Sequence, residues 1–164
     1  MKTSDYNWGD DIIDSRCIIS RYEELKNEKD SLEEAVKEAQ EELDDFVKDD
    51  DDTIDDLKEA LEVAKSYLCM FNTSEDDELK LLQEIVKQGD SSPDWSYGEA
   101  LIHENYFTQY TEELVDDCYD MPKEFSEGKW PWNHVNMDWE AAANELKNDY
   151  FDITVDGETY YIRG

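Results

Sequence analysis

Bases are scarce in this 164-residue chain: 15 Lys and Arg stand against 46 Asp and Glu, a formal net charge of −31. Phosphate contacts need Lys and Arg, so the balance excludes nucleic acid as a direct ligand, and anionic membrane surfaces with it. Long apolar runs are missing too. None approaches the roughly 20 residues of a membrane span, and the opening MKTSDYNWGDD has no signal-peptide core. A soluble, cytoplasmic protein is the expectation. The three cysteines, Cys17, Cys69 and Cys118, lie far apart with no CxxC pair, which argues against a disulfide framework or structural zinc. Each is expected as a small buried apolar residue in a reducing compartment. The two histidines, His103 and His134, have no Cys or His at ligand spacing and read as surface or satisfied core residues. No Gly-rich phosphate loop, nucleophile elbow or Cys/His pairing occurs. The Asp49–Asp52 run lacks the glycine and alternating ligands of an EF-hand loop. Adjacent carboxylates such as Asp116 and Asp117 are what 46 acids produce by composition, and this outweighs a magnesium site. A non-enzyme with no cofactor and no metal is the expectation.

What is present suffices for a core: 38% of residues are hydrophobic and 12% aromatic, unlike a disordered acidic tail. From Ile18 to Phe46, apolar residues Ile18, Tyr22, Leu25, Leu32, Val36, Ala39, Leu43 and Phe46 follow helical spacing and form a heptad seam. A second seam runs through Ile54, Leu57, Leu61, Ala64, Leu68 and Phe71, with Thr53 as its expected N-cap. Residues 48–52 between them lack apolar side chains and read as the turn of an antiparallel helical hairpin. Thr73 or Ser74 is expected to cap a shorter helix at about 75–88, and QGDSSPDWSYG (88–98) reads as a linker. A division into 1–90 and 91–164 follows. The second part predicts a helix over 98–119, apolar at Leu101, Tyr106 or Phe107, Tyr110, Leu114 and Val115. A loop follows, then a helix from about Asp138, and a hairpin turning at Asp156-Gly157. Trp130, Trp132 and Trp139 are expected in the core. The fold class is α+β, mostly α: an N-terminal antiparallel, coiled-coil-like helical hairpin and C-terminal helices packed on a small antiparallel sheet.

The acids are unevenly spread. Residues 23–62 carry nineteen acids and five bases, and residues 90–164 carry eighteen and four, so each segment is net −14. Ordinary small domains have a net charge of roughly 2–8 in magnitude, so solubility alone does not account for the excess. Packed as two antiparallel helices, residues 23–62 make a rod roughly 30 Å long. It bears about one net charge per 2 Å, against about 1.7 Å for duplex DNA. Glu33–Lys37 and Asp44–Lys48 are expected helix ion pairs, too few to neutralise the rod. LDDFVKDDDDTIDDL (43–57) concentrates eight Asp around one Lys. A single-signed array on folded helices favours a basic partner over simple solvation.

In the C-terminal part, LIHENYFTQYTEELVDD, WPWNHVNMDWEAAANELKNDYF and DGETYYIR resemble the corresponding part of ArdA-type antirestriction proteins and related small phage proteins. The resemblance covers about residues 98–164 and rests on Trp130-Pro131, Asp138-Trp139-Glu140-Ala141-Ala142, Leu146 and Asp149-Tyr150. It implies an elongated, often dimeric DNA mimic, working in a bacterial host cell by filling the DNA groove of a type I restriction-modification enzyme. The N-terminal half departs from that family, with a helical hairpin in place of its usual domains. A CRISPR effector is an equally compatible target. The partner is then the basic DNA-binding groove of a host defence complex. The acids expected to stand in for phosphates are Asp44, Asp45, Asp49, Asp50, Asp51, Asp52, Asp55, Asp56, Glu112, Glu113, Asp116, Asp117 and Asp120. The alternative from another class is a coiled-coil adaptor whose apolar seam is its interface; a metal-dependent enzyme using an acidic pair is the weakest.

Overall fold

The computed structural model describes residues 6–46 and 51–164, with the side chains of Asp51, Asp52 and Ser126 excepted. The fold is mostly helical, with long helices in its N-terminal half and a small antiparallel sheet. The chain divides into two compact units. One is Ile18–Lys87, and the other joins residues 6–17 to Gln88–Gly164. Strand β1 (Ile12–Asp14) pairs with β2 (Ala100–His103), which ties the start of the chain to the later unit.

The helical unit is built mainly from α1 (Ser15–Asp45), α2 (Asp51–Ser74) and α3 (Asp76–Gly89). No residue of either predicted seam is exposed. Ile18, Leu25, Leu61 and Phe71 are buried, and the remaining seam residues are half-buried. Helix α2 starts at Asp51 and not at the expected cap Thr53, which therefore lies within its first turn. Acidic residues at the positive end of the helix favour this earlier start. Thr73 and Ser74 do not cap α3. Their hydroxyls donate back to the carbonyls of Cys69 and Met70, each at 2.8 Å, and so belong to the end of α2. Lys37 pairs with Glu41 at 3.7 Å instead of the expected Glu33, while Lys48 lies outside the described residues.

Between α1 and α3, Arg21 donates to both carboxylate oxygens of Glu78 at 3.0 and 2.9 Å, and Lys29 donates to Asp76 at 2.6 Å. Lys80 adds a second contact to Asp76 at 2.6 Å. The two ammonium groups hold the Asp76 carboxyl below the usual carboxylate range. A depressed folded-state value stabilises above the unfolded value of about 4, and that stabilisation is lost as pH falls through the folded value. Asp76→Asn should therefore lower the melting temperature at pH 7 and make little difference near pH 2. Equal losses at both pH values, read by circular dichroism, would count against this linkage.

In the other unit the strand order is β1-β2-β4-β3, all antiparallel, with β3 (Tyr150–Val155) and β4 (Glu158–Arg163) forming the predicted hairpin. Asp156 and Gly157 have φ of 51° and 87°, and this two-residue turn with both φ positive is why Asp-Gly was so informative. The predicted helix over 98–119 is shorter than expected. Residues 100–103 are strand, 104–106 a 3-10 turn, and only α5 (Phe107–Cys118) is α-helical. Leu101, Ile102 and His103 are consecutively buried, as befits an interior strand.

On one face of the sheet, Ile102 packs with Phe107 of α5 and Ala143 of α7 (Trp139–Leu146). The Phe107 ring meets Tyr150 and Tyr161 edge-on at 5.1 and 5.0 Å, and Lys147 Nζ lies 4.5 Å over Tyr161. Asp138 caps α7, accepting from the Ala141 N–H at 3.0 Å. On the opposite face Ile13, Leu101, Ile153, Tyr160 and Ile162 are buried. The Tyr160 hydroxyl accepts from the Gly9 N–H at 2.6 Å.

The expected linker 88–98 is an ordered knot. It contains the helical turn α4 (Trp95–Gly98), and Trp95 is 3% exposed. Ser15 Oγ donates to the Trp95 carbonyl at 2.6 Å and accepts from the Glu99 N–H at 2.8 Å. The Trp95 ring lies directly on Gly89, where an added Cβ would stand 2.3 Å from Cε2. Gly89→Ala should cost about 1–3 kcal/mol through overpacking. Unchanged denaturant unfolding would show that the ring yields freely.

Two further expectations are corrected. Trp130 is 80% and Trp132 37% exposed, and Trp139 is half-buried, so these rings do not form the core. Cys69 and Cys118 are exposed and Cys17 half-buried, all as free thiols, because they fall beside the apolar stripes of their helices.

Candidate functional site

The predicted acids separate into two groups. In the helical unit, Asp44 and Asp45 occupy the last turn of α1, both exposed. That turn holds no base, so the carboxylates sit at the negative end of the helix dipole, an electrostatically unfavourable position. Gln40 donates to Asp44 at 2.9 Å, and Lys58 donates to Asp55 at 3.1 Å; Asp56 is exposed. Asp51 and Asp52 begin α2, but their side chains are outside the described set, as are Asp49 and Asp50 altogether.

Beside these lies an open groove of about 750 Å³, lined by Glu38, Glu41, Glu42 and Asp45 of α1, Phe46, and Thr53 and Leu57 of α2. Of its four acids only Asp45 was among the residues predicted. Glu38, Glu41 and Glu42 were missed, although their spacing of three and four was readable as one helix face. Upstream, Asp30 and Glu34 continue that row at intervals of four, and both are exposed. Among the described residues, Lys37 is the only base that meets an acid of residues 33–45, through Glu41.

The second group lies on α5 and just beyond it. Glu112, Glu113, Asp116, Asp117 and Asp120 are all exposed, on the side away from buried Phe107 and Thr111. Glu113 is engaged: the Tyr106 hydroxyl donates to it at 2.6 Å and Gln109 at 3.0 Å. The tyrosine bond, then the glutamine bond, hold its carboxyl below the usual range, while the same contact pushes the Tyr106 hydroxyl up to about 12. Glu112 and Asp116 instead line an opening of about 500 Å³, beside Met121, Phe125, Val135, Asn136, Met137 and Trp139.

His103 is a satisfied core residue. Its Nδ1 accepts from the Asn105 N–H at 3.2 Å and its Nε2 lies 2.8 Å from Glu158. Among the described residues no three His, Cys, Asp or Glu side chains gather as a metal site, and no helix is long and apolar enough to cross a membrane. No protein family, curated protein or solved structure matches the chain.

Proposed function

We propose that the protein is a non-enzymatic DNA mimic that blocks a bacterial DNA-targeting defence complex by occupying its DNA-binding groove. Residues 33–45 carry the argument. They hold seven exposed carboxylates and one lysine, net −6. At about 1.5 Å rise per residue the run is about 18 Å long, or one net charge per about 3 Å. A single DNA strand carries one per about 3.4 Å. The carboxylates are mounted on a preformed helix, so a basic groove meets an ordered anion array and no chemistry is required. The resemblance of residues 98–164 to antirestriction proteins favours a type I restriction-modification enzyme as the target.

The direct test is competition, in which the chain should displace duplex DNA from a purified type I restriction enzyme, with displacement weakening steeply as salt rises. Displacement from a CRISPR effector alone would keep the mimicry and change the target. A second reading has one observation behind it: Val63, Tyr67 and Met70 are 48%, 58% and 64% exposed at spacings of four and three along α2. Such a face suits a helical adaptor, whose binding to a partner helix would hardly respond to salt.

A further inference from the structure

The opening beside α5 has more apolar side chains in its lining than the acidic α1 groove, five against two. Glu112 and Asp116, four residues apart and so neighbours on one face of α5, both line it. Met121, Phe125, Val135, Met137 and Trp139, with the polar Asn136 among them, supply the rest of the wall. Val135 is 46% and Met137 43% exposed, although both are hydrophobic. Among the described residues no base pairs with either carboxylate, unlike Glu113 close by, which its tyrosine and glutamine neighbours engage. The opening of about 500 Å³ is of the size that holds one inserted group.

We infer that this opening is a docking pocket for an arginine side chain presented by the basic partner protein; the inference rests on the DNA-mimic reading and names the contact made by its second acidic group. A phosphate imitation needs carboxylates alone. The exposed apolar wall adds a place for the three-methylene stem of arginine. The guanidinium plane can stack on Trp139 and offer paired N–H donors to a carboxylate. Lysine presents a strongly hydrated point charge that neither stacks in plane nor donates in a fork, so arginine is the better fit. The pocket thus fixes where the mimic sits on its target, which evenly spaced charge does not do.

The test is a nitrogen-edited NMR titration of the full chain with an acetylated, amidated Leu-Arg-Leu peptide and its lysine and citrulline counterparts. The arginine peptide should give saturable shifts confined to residues 112–116 and 135–139, with the Trp139 indole among them. The citrulline peptide should bind at least about tenfold more weakly, since it forgoes a charged hydrogen bond. Glu112→Gln with Asp116→Asn should remove the shifts, and Val135→Ser, at an exposed position where the fold is not at stake, should weaken them. Shifts spread equally along α1 and α2, or an unaltered titration of the double variant, would overturn the proposal. Failure of the mimicry itself has a separate signature, the absence of DNA displacement from the restriction enzyme and from a CRISPR effector alike, whatever the peptide does.

Discussion

Neutralising the α1 groove, through Glu38→Gln, Glu41→Gln, Glu42→Gln and Asp45→Asn together, should weaken displacement of DNA from the target by about 30-fold or more. Each carboxylate that meets a target base contributes roughly 0.2–1 kcal/mol at an exposed surface, and four effects of about 0.5 kcal/mol multiply to about 30-fold. The dependence on salt should flatten at the same time, by up to roughly one unit of logarithmic slope for each ion pair removed from the complex. The fold should survive and gain some stability, because these side chains are exposed and like charges crowd one another there. The paired measurement is competition at several salt concentrations and thermal unfolding of the same variant. Weakened competition with an unchanged salt slope would mean that the acids act through the fold and not as partners of target bases.

Phe107→Ala should be the most damaging single change to stability, costing about 3–5 kcal/mol. The ring is 0% exposed and packs with Ile102 of the sheet, Ala143 of α7 and three tyrosines. Truncation leaves a cavity that a hydrogen-bonded sheet and a short helix are poorly able to close. Phe107→Leu, keeping most of the volume, should cost much less. Chemical unfolding should separate the two variants clearly; similar midpoints would show that the site collapses around the smaller side chain.

Sequence patterns told most where one physical signal acted alone. Both long helices were legible because Leu25, Leu61 and Phe71 fall on unbroken 3.6-residue stripes, and the terminal hairpin because Asp156 and Gly157 accept positive φ. Residues 100–103 were not legible as strand because four residues are too few to display a period, and three in a row are buried. The three-residue strand β1 was hidden for the same reason. At Thr73 and Ser74 a hydroxyl can cap the next helix or bond back to the last one, and only the structure shows the second. The tryptophans were judged by type alone; the neighbours Lys129, Asn133 and His134 offered no apolar stripe to receive Trp130 or Trp132. Among the acids, Asp49–Asp52 is conspicuous as a run, whereas Glu38, Glu41 and Glu42 share a helix face through spacings of three and four from Glu38. A groove depends on which residues share a face, and a run of identical residues does not report that.

The pairing of β1 with β2 bears on the order in which the protein is made. Residues 12–14 leave the ribosome before their hydrogen-bond partners at 100–102, with the whole helical unit synthesised in between. That unit is continuous in the chain and rich in local contacts, so it has all of its residues while the edge strand is still waiting. The sheet closes only when β4, the strand between β2 and β3, has emerged at the very end. Nascent chains stalled before residue 158 should therefore present a protease-sensitive start and a protected helical middle, and release of the last strand should protect both together.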